Sequence, residues 1–417
     1  MHFKENSEYD VVAFTVAQIP GIAGRKYPPK LAGSNYPHGI PIYDEEELPN
    51  LMAKYDVDEV VFAYSDVSHE HVMHNASLAL ACGSDFRLMG LKSTMLKSRK
   101  PVIAVCAVRT GAGKSPVTRK VCEILKKMGR RVVAIRHPMP YCDFEKELCQ
   151  RLASYEDLEG FGCTIEEREE FEPLIERGIV VYDGIDYKMV LREAEKEADV
   201  IVWDGGNNDF PFFEPTLHIV VADAHRPGHE LTYYPGETNL LVADVIVINK
   251  IDTAPKENLE TIMKNVNAKN SRVQIVKAAS PITVDHPDLI KGRNVLVVED
   301  GPTLTHGGMI YGAGTIAAEK FGGRLVDPRR FAVGSISEVY RKYTHLGSLL
   351  PAVGYSGDQI RELEETINAV ECDAVVIGTP IDLRRIIRVN KPMVRVKYEI
   401  EEIGKPDLEE ILGKSKF

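Results

Sequence analysis

The sequence predicts an α/β protein built around a parallel sheet. Short runs rich in valine and isoleucine alternate with longer amphipathic, charged segments, which is the pattern of parallel strands connected by helices. The chain has 417 residues, more than one hydrophobic core usually spans, so two or three domains are expected. The predicted strands are Val11–Thr15, Glu59–Tyr64, Val102–Ala107, Arg131–Arg136, Val200–Asp204, Leu217–Asp223, Val245–Asn249, Val273–Lys277, Asn294–Val298, Arg330–Gly334 and Ala374–Gly378.

The distribution of these strands suggests three domains. Residues 1–98 are predicted to form an N-terminal Rossmann-like α/β domain, residues 99–298 a central domain, and residues 299–417 a C-terminal α/β region. A polar segment leads at once into Val11–Thr15, whereas a doubly wound unit normally opens with a strand and a glycine-rich turn. We therefore expect the N-terminal domain to lack its first βα unit.

Composition and charge narrow the range of partners. The chain carries 51 lysines and arginines against 62 aspartates and glutamates, a net charge of −11, so we expect neither nucleic acid nor a membrane as a partner. The seven cysteines include no CxxC pair, which argues against a zinc or redox site. The N-terminus lacks the apolar stretch of a signal peptide, and no run approaches the roughly 20 apolar residues of a membrane span. We predict a cytoplasmic protein.

A phosphate-binding loop is predicted after the strand Val102–Ala107. The segment Val108-Arg-Thr-Gly-Ala-Gly-Lys-Ser115 follows this strand and leads into a helical pattern, which is the context that such a loop requires. Lys114 is expected to reach the β- and γ-phosphates and Ser115 to hold Mg²⁺. Val108 replaces the usual first glycine, and a simple tight turn before a helix is the alternative. The predicted nucleotide contacts here are Arg109, Thr110, Gly111, Ala112, Gly113, Lys114 and Ser115.

A catalytic carboxylate is predicted at the end of the strand Val200–Asp204. Asp204 follows an apolar run and precedes two glycines, so it can take the Mg²⁺ side of a phosphate site, as a Walker B aspartate does. An aspartate at a strand end is otherwise usually a solvated turn or a cap. Asn207 and Asn208, in the following loop, are candidates to orient water or substrate.

The strand Val245–Asn249 ends in a segment typical of guanine recognition. In Asn249-Lys-Ile-Asp252 the spacing is NKxD, in which the aspartate accepts hydrogen bonds from the base and the lysine packs on it. We predict that Asn249, Lys250 and Asp252 bind the nucleotide. A chance occurrence of four residues is the alternative.

Two further polar segments follow predicted strands and are expected to face the ligand crevice. The first contains Arg136 and His137, and the second contains His225, Arg226 and His229. Arginine forks match phosphate and carboxylate groups, so these five residues are candidates for binding an anionic substrate. Loop solvation and helix capping are the alternative for each of them.

Glycine-rich sequence after Asn294–Val298 suggests a second phosphate cradle. Glu299–Met309 and Tyr311–Gly314 supply glycines, hydroxyls and a histidine. Ordinary glycine-rich turns are the alternative. In the segment Ile377–Arg385, which has the character of a strand, a turn and a helix, helix capping is the favoured interpretation.

Taken together, six motifs resemble the cyclic 2,3-diphosphoglycerate synthetase-like family, also labelled predicted GTPases, among P-loop NTPases of the dethiobiotin-synthetase and MinD-like class. They are VRTGAGKS, RHPMPY, DGGNND, DAHRPGHE, INKID and EDGPTLTHGGMIYGAG, and they span essentially the whole chain. The resemblance implies that ATP phosphorylates 2,3-diphosphoglycerate and that ring closure then expels phosphate. It assigns Lys114 and Ser115 to nucleotide and Mg²⁺ and Asp204 to the metal side, whereas the loops of Arg136 and His225–Arg226 are assigned to the substrate from their position after strands.

The resemblance and the motifs leave two functions open. A ligase-type enzyme would transfer the γ-phosphoryl group of ATP, with Mg²⁺, to a small phosphorylated acid. A regulatory GTPase would act on a protein partner, and INKID favours it because guanine selectivity fits poorly with an ATP-dependent synthetase. A homodimer is expected only from the frequency of dimers among such enzymes.

Overall fold

The computed structural model describes residues 3–4, 6–17, 22–139, 144, 147–205, 209–305, 309–354, 356–415 and 417. In the N-terminal part the elements are short. They are β1 (Phe14–Val16), β2 (Lys26–Tyr27), α1 (Pro29–Ala32), β3 (Ile40–Asp44), α2 (Leu48–Tyr55), β4 (Glu59–Phe62), β5 (Val67–Ser68), α3 (His69–Ala81), β6 (Asp85–Leu88) and α4 (Leu91–Thr94). β1, β3 and β2 form a three-stranded sheet in that order, and β4 pairs in parallel with β6.

The central part contains the largest sheet. Its elements are β7 (Val102–Ala107), α5 (Lys114–Lys127), β8 (Val132–Arg136), β9 (Gln150–Leu152), α6 (Tyr155–Gly160), α7 (Ile165–Ile175), β10 (Val180–Asp183), α8 (Tyr187–Glu197), β11 (Val200–Asp204), β12 (Leu217–Asp223), α9 (His229–Thr232), β13 (Tyr233–Tyr234), α10 (Gly236–Val242), β14 (Val245–Asn249), α11 (Lys256–Lys269), β15 (Gln274–Ala279) and β16 (Ile282–Val284).

The C-terminal part forms a second sheet and then returns to the first. Its elements are β17 (Asn294–Asp300), α12 (Gly301–Thr305), α13 (Ala313–Lys320), β18 (Arg324–Leu325), α14 (Gly334–Lys342), β19 (Leu350–Ala352), α15 (Gly357–Ala369), β20 (Ala374–Ile377), β21 (Met393–Tyr398), β22 (Glu401–Glu402) and α16 (Leu408–Lys414). The sheet order is β16-β21-β20-β17-β18, with β19 also on β17.

The large sheet has the order β22-β15-β14-β12-β7-β11-β8-β10-β9. The strands from β15 to β10 run parallel, and the two edge strands, β22 and β9, are antiparallel to their neighbours. Helices α5, α7 and α16 pack on one face, and α8, α10 and α11 pack on the other. Because both faces are covered, central strands such as β7 are apolar along their whole length and fully buried.

The predicted α/β fold class is confirmed. The sheet is mostly parallel, and six of its nine strands, β7, β8, β11, β12, β14 and β15, begin and end within a few residues of predicted strands, whereas β9, β10 and β22 were not predicted. One strand prediction is wrong: residues 330–334 form the end of a 3₁₀ turn, Arg329–Phe331, and the start of α14. The divisions at residues 98 and 298 stay predictions, and several strand pairings cross them, including that of β16 with β21. β5 pairs with β13, and β22 joins the large sheet after the C-terminal sheet is complete.

Across the described ranges no helix combines the length and the apolar character that a membrane crossing demands.

Candidate nucleotide-binding and catalytic site

The predicted phosphate loop lies between β7 and α5, at the centre of the large sheet. Gly111 and Gly113 adopt left-handed backbone conformations, with φ of +78° and +102°. When residues in the left-handed conformation alternate with residues in right-handed conformations, successive N–H groups turn toward one point, which is the arrangement that binds an anion. Lys114 and Ser115 then begin α5, so the positive end of the helix faces the same point. In the part of the chain that the structure describes, no side chain accepts a hydrogen bond from these two N–H groups.

The carbonyl groups of the loop are held on its other side. Three successive carbonyl oxygens of the loop each accept a hydrogen bond from a side chain. One donor follows β12, one ends β14 and one follows β14. The bonds join Arg226 Nη2 to Thr110 O (2.7 Å), Lys250 Nζ to Gly111 O (2.6 Å) and Asn249 Nδ2 to Ala112 O (3.0 Å). With the carbonyls fixed outward, the N–H groups stay directed at the phosphate site before any ligand binds.

Asp223, at the end of β12, organises two of these three donors. Its Oδ2 accepts hydrogen bonds from Lys250 Nζ at 2.8 Å and from Arg226 Nε at 3.0 Å. Burial would raise the pKa of Asp223, but the two cations hold it below its usual value, so the carboxylate is ionised. The sequence analysis did not identify Asp223, although it ends an apolar strand as Asp204 does.

Gly113 is required by a close approach as well as by its backbone conformation. A Cβ atom on this residue would lie 2.1 Å from Nδ2 of Asn249. Asn249 is buried, and its position at the end of β14 is fixed by the sheet. The asparagine of the NKxD segment therefore packs directly under the phosphate loop.

Lys114 and Asp204 form the centre of an ion-pair chain. Lys114 Nζ lies 2.5 Å from Asp204 Oδ1, and Asp204 Oδ2 lies 2.5 Å from Arg136 Nη1. The guanidinium of Arg136 also pairs with Glu170 on α7. Burial would raise the pKa of Asp204, but Arg136 and Lys114 hold it below its usual value. Asp204 is thus an ionised carboxylate at the mouth of the phosphate loop.

Three neighbouring strands continue this chain as a row of side chains. Asp204 on β11 pairs in register with Arg136 on β8. Tyr182 on β10 pairs with Ile135 on β8, so the next residue on β10, Asp183, lies level with Arg136. Residues level with each other on parallel strands point to the same face of a sheet, here the face of α5 and α7. Burial raises the pKa of Asp183 to about 8, although Arg136 opposes the shift.

The phosphate loop also contacts the N-terminal part of the chain. Asp66, just before β5, accepts hydrogen bonds from Arg109 Nε at 2.7 Å and from the backbone N–H of Thr110 at 3.3 Å. The guanidinium of Arg109 lies 3.8 Å from the ring centre of Tyr233. Burial, with Arg109 nearby, lowers the pKa of His229 to about 4, so its neutral ring can accept from Arg109 Nη1 at 3.3 Å. These contacts hold the first half of the loop.

The remaining predicted substrate residues lie at the same edge of the sheet. His137 Nδ1 is 3.2 Å from Asp209 Oδ2, and His225 Nε2 is 2.9 Å from Thr253 Oγ1. Asn207 and Asn208 lie outside the described residues. The assignments of Arg136, His137, His225 and Arg226 to an anionic substrate stay predictions. The contacts of Arg136 and Arg226 favour structural roles, because each is already paired with buried carboxylate.

Asp252 differs from the other members of its motif. Its side chain is exposed, and Oδ1 accepts a hydrogen bond from the backbone N–H of Ser280 at 3.2 Å. Asn249 and Lys250, by contrast, are turned onto the phosphate loop. Asp252 therefore remains available to a nucleotide base.

In the described part of the glycine-rich segment after β17, a carboxylate takes the place of a phosphate; residues 306–308 of this segment lie outside the described residues. Glu299 is buried, and its carboxylate occupies the N-terminus of α13. It accepts hydrogen bonds from the backbone N–H groups of Gly312, Gly314 and Thr315 and from Thr315 Oγ1, at 2.6 to 3.1 Å. The donors that would bind a phosphate are thus taken by a carboxylate of the chain itself. In the segment 377–385, Asp382 caps the turn Leu383–Arg385, as the capping interpretation predicts.

The residues Ser115 and Asp204 fit a magnesium ion. A hydroxyl at the start of α5 and an ionised carboxylate at the end of β11 are the hard oxygen donors that Mg²⁺ prefers, and nucleotide phosphates supply the remainder in P-loop proteins. Among the described residues, no group of three or more histidine, cysteine, aspartate or glutamate side chains could hold a metal without such phosphates.

Comparisons with known proteins identify relatives of this chain. A family model described as cyclic 2,3-diphosphoglycerate synthetase, P-loop domain, matches residues 178–279. Arginine synthetase ArcE of Thermococcus kodakarensis is 63% identical over 411 residues, which cover 98% of this chain and 92% of the relative. Cyclic 2,3-diphosphoglycerate synthetase of the same organism is 23% identical over 57% of this chain and 61% of the relative.

Among solved structures, LpxK from Aquifex aeolicus in complex with ATP aligns with 89% of this chain and 100% of its own, at 12% identity and a TM-score of 0.48. Arginine synthetase ArcE, by contrast, matches this chain over nearly its whole length at 63% identity. The chain therefore belongs to the family of arginine synthetase ArcE, P-loop enzymes of the nucleotide-dependent ligase type related to the cyclic 2,3-diphosphoglycerate synthetases.

Proposed function

We propose that this chain is an ATP- and Mg²⁺-dependent ligase whose reaction makes or consumes arginine. The observation that carries the proposal is the ion-pair chain of Lys114, Asp204 and Arg136. This chain places the phosphate-binding lysine close to several acidic side chains. The name of the relative that is 63% identical, arginine synthetase, supports the choice of amino acid.

The phosphate loop would bind the β- and γ-phosphates of ATP through its N–H groups and Lys114. To reach them, Lys114 would exchange Asp204 for phosphate oxygens, and Ser115 and Asp204 would hold Mg²⁺. That ion, when bound, neutralises charge on the transferred phosphoryl group. Arg136 would remain on Asp204 and keep the carboxylate ionised while the lysine is engaged elsewhere.

The reaction we propose has two steps. In the first, the bond between the γ-phosphorus and the bridging oxygen breaks, the electron pair stays on ADP, and an oxygen of the acceptor bonds to the phosphorus. In the second, a nitrogen attacks the carbon that bears this oxygen, the C–N bond forms, and phosphate leaves with the oxygen while the nitrogen loses a proton. The fixed loop N–H groups and Lys114 stabilise charge in the first step without reorganising.

The charge around the site favours arginine over a diphosphoglycerate. Arg136, the guanidinium closest to Asp204, is 2% exposed and shared by Asp204 and Glu170, so it offers no unpaired charge to a phosphorylated acid. Asp183 lies beyond it, with its pKa raised to about 8, and Glu167 on α7 faces Asp183. These acidic side chains offer no positive charge to a polyanionic substrate, whereas a guanidinium or ammonium group would favour their ionised forms.

Closure of cyclic 2,3-diphosphoglycerate is the second candidate. The family model over residues 178–279 favours it, because that model describes this activity. Against it stands the lower identity of the relatives that carry the name, 23 to 29% over 27 to 57% of this chain.

GTP is the rival nucleotide. Exposed Asp252 in the NKxD segment favours guanine, since nothing in its position prevents contact with a base. We propose ATP because Asn249 and Lys250 are explained by their bonds to the loop and need no guanine to account for them. A regulatory GTPase acting on a protein partner would need only this base preference and slow hydrolysis.

A panel of four reactions separates these functions. Purified full-length chain with Mg²⁺ is given ADP, phosphate and arginine, or ATP and 2,3-diphosphoglycerate, or ATP alone, or GTP alone. The proposal predicts ATP formation in the first mixture, because a ligase reaction can run in reverse. Phosphate release that depends on 2,3-diphosphoglycerate would instead establish the second candidate, and hydrolysis confined to GTP would establish a GTPase.

A further inference from the structure

Helix α7 is unusually acidic for a buried helix. Five of its eleven residues are glutamates, and four of these, Glu166, Glu167, Glu169 and Glu172, are buried. Glutamate is almost never fully buried unless it is paired, because desolvation of a carboxylate is costly. Glu167 accepts hydrogen bonds from the N–H and Oγ1 of Thr164. Glu170 forms an ion pair with Arg136, and Glu172 forms one with Arg168 at 3.2 Å.

Glu169 is buried, and it forms no ion pair with a cation among the described residues. It is 5% exposed, and its Oε1 accepts a hydrogen bond from Thr379 Oγ1 at 2.5 Å. Its Oε2 is buried and has no hydrogen-bond partner within the described ranges of the chain. A half-satisfied buried carboxylate of this kind is expected where a ligand completes the site.

Three acidic side chains act on Glu169. Burial, followed by the neighbouring charge of Asp300 at the end of β17, raises the pKa of Glu169 well above its usual value. Glu166 and Glu170 on α7 add to this shift, and the phenol of Tyr398 on β21 faces the same carboxylates. The group that would stabilise this arrangement is therefore a cation.

A planar organic cation suits the position better than a metal. Among the described residues no three acidic, histidine or cysteine side chains converge as metal ligands. A guanidinium spreads one charge over five N–H donors, so it can bond to Glu169 and still face the other carboxylates. Glu169 lies next to Glu170, which contacts Arg136 beside Asp204, so a ligand held here is adjacent to the phosphate loop.

We propose that Glu169, with Thr379 fixing its orientation, is the subsite that binds the guanidinium of arginine. The inference rests on the proposed function and adds to it the residue that recognises the cationic group. Arginine would lie between α7 and the carboxyl edge of the C-terminal sheet, where β17 and β20 end. Ligands of α/β proteins bind outside the carboxyl ends of the strands, and Thr379 follows the carboxyl end of β20.

The test is isothermal titration of arginine into full-length protein that carries Mg²⁺ and ADP, the nucleotide that accompanies arginine in the proposed reaction. Glu169→Gln removes the charge and keeps the shape, so arginine affinity should fall about tenfold or more, as expected for loss of a charge-assisted hydrogen bond. Affinity for a non-hydrolysable ATP analogue, titrated separately, should stay within about twofold, as expected for a site not in contact. Glu172→Gln is the matched control: Glu172 lies on the same helix and its Oε2 is also buried without a hydrogen-bond partner among the described residues, but its Oε1 is paired with Arg168, so arginine affinity should not change.

A second signature separates binding from a structural role. Because burial raises the pKa of Glu169 and the side chain must ionise to pair with the guanidinium, arginine binding by the wild type should release protons, measured as a dependence of the binding enthalpy on the ionisation enthalpy of the buffer. The Glu169→Gln variant should release none. If that variant does not fold, Glu169→Asp, which keeps the charge but withdraws it by one methylene, should bind arginine more weakly than the wild type.

The possible outcomes are distinct. Wild-type binding of arginine that is unchanged in Glu169→Gln would overturn the subsite and leave the proposed function standing. Failure of the wild type to bind arginine at all would overturn both. Loss of affinity for arginine and for the ATP analogue together would show that Glu169 supports the fold of the site and would also overturn the subsite.

Discussion

Lys114 Nζ and Asp204 Oδ1 are 2.5 Å apart at the head of the phosphate loop, and both side chains are largely buried. The positive charge of Lys114 and the negative charge of Asp204 therefore neutralise each other. A nucleotide phosphate must replace Asp204 as the partner of Lys114, which frees one carboxylate oxygen toward the metal side. The pair thus links nucleotide binding to preparation of the metal site.

Replacing Lys114 tests this link. Lys114→Ala should lower Mg²⁺–ATP affinity at least tenfold and reduce turnover by about a hundredfold or more, because it removes a donor to phosphate in a site where such donors contribute several kcal/mol. Equilibrium binding of a fluorescent ATP analogue and initial rates measure the two effects. Lys127→Ala, at the exposed end of the same helix, is the control and should alter neither. Unchanged affinity and turnover in Lys114→Ala would contradict the assignment.

Arg136 provides a test of whether it is a counter-ion or an anion site. As a counter-ion, its replacement by methionine leaves Asp204 and Glu170 without their shared cation, and breaking such a buried pair costs about 3–5 kcal/mol of unfolding free energy. Urea unfolding measures the loss. Arg131→Met removes an exposed pair with Asp199 and should barely move the midpoint. A stable Arg136→Met protein with weakened binding of an anionic substrate would instead support the anion-site prediction.

Gly113 should tolerate no side chain. Gly113→Ala places a methyl group 2.1 Å from Asn249 Nδ2, so the loop must distort and nucleotide binding should be lost. Gly129→Ala is the matched control, since its φ of +79° imposes a similar backbone cost, about 1–2 kcal/mol, while nothing lies within 4 Å of the added carbon. Both variants are compared by thermal stability and ATP-analogue affinity. Equal affinities in the two variants would show that contact with Asn249 does not shape the loop.

Much of this loop could be predicted from the sequence. The order of strand, glycines, lysine and helix fixes local backbone geometry, so the phosphate site follows from adjacent residues. The partners of the loop carbonyls could not be predicted, because Arg226, Lys250 and Asn249 reach it only through the order of strands β7, β12 and β14 in the sheet. Their motif suggested a base and a substrate, whereas their bonds go to the loop.

Asp252 tests the choice of nucleotide. If its carboxylate recognises guanine, Asp252→Asn should weaken GTP binding and improve binding of xanthosine triphosphate, whose ring carries an oxygen in place of the amine. The proposed ATP-dependent enzyme should show no such exchange, and its ATP affinity should change by less than about threefold, since the lost bond to Ser280 is exposed. Competition binding with the three nucleotides gives the answer.

Asp183 should make stability depend on pH. Its folded pKa of about 8 lies above the value near 4 of an unfolded aspartate, so the folded chain binds the extra proton between these limits. The stability that this group contributes is complete below about pH 4 and falls by roughly 1.4 kcal/mol per pH unit up to about pH 8. Asp183→Asn should remove this slope and exceed the wild type in stability at alkaline pH, as measured by urea unfolding from pH 5 to 9.

The control for this slope is Asp199→Asn. Arg131 holds the pKa of Asp199 well below its usual value, so this carboxyl is ionised in both states from pH 5 to 9 and its removal should leave the slope unchanged. An equal slope in wild type and Asp183→Asn would contradict the burial-driven shift.

The acidic residues that distinguish the site were not predictable from local sequence. Glu169 and Glu170 belong to a charged helix, which normally indicates a solvated face, and only packing between two sheets buries them. Glu299 shows the same limit, because its glycine-rich neighbours suggested a phosphate cradle while the carboxylate that fills it comes from the preceding strand. Asp183 ends an apolar run as Asp204 does, so the pattern that identified Asp204 could have identified it.

The central claim is that the chain couples ATP to arginine. It is tested most directly by incubating the full-length chain with Mg²⁺, ADP, phosphate and arginine and measuring ATP with luciferase, with each reactant omitted in turn and with Lys114→Ala in parallel. We predict ATP formation that requires all of the reactants and is lost in the variant. Absence of arginine-dependent ATP from a wild-type protein that binds ADP would contradict the account.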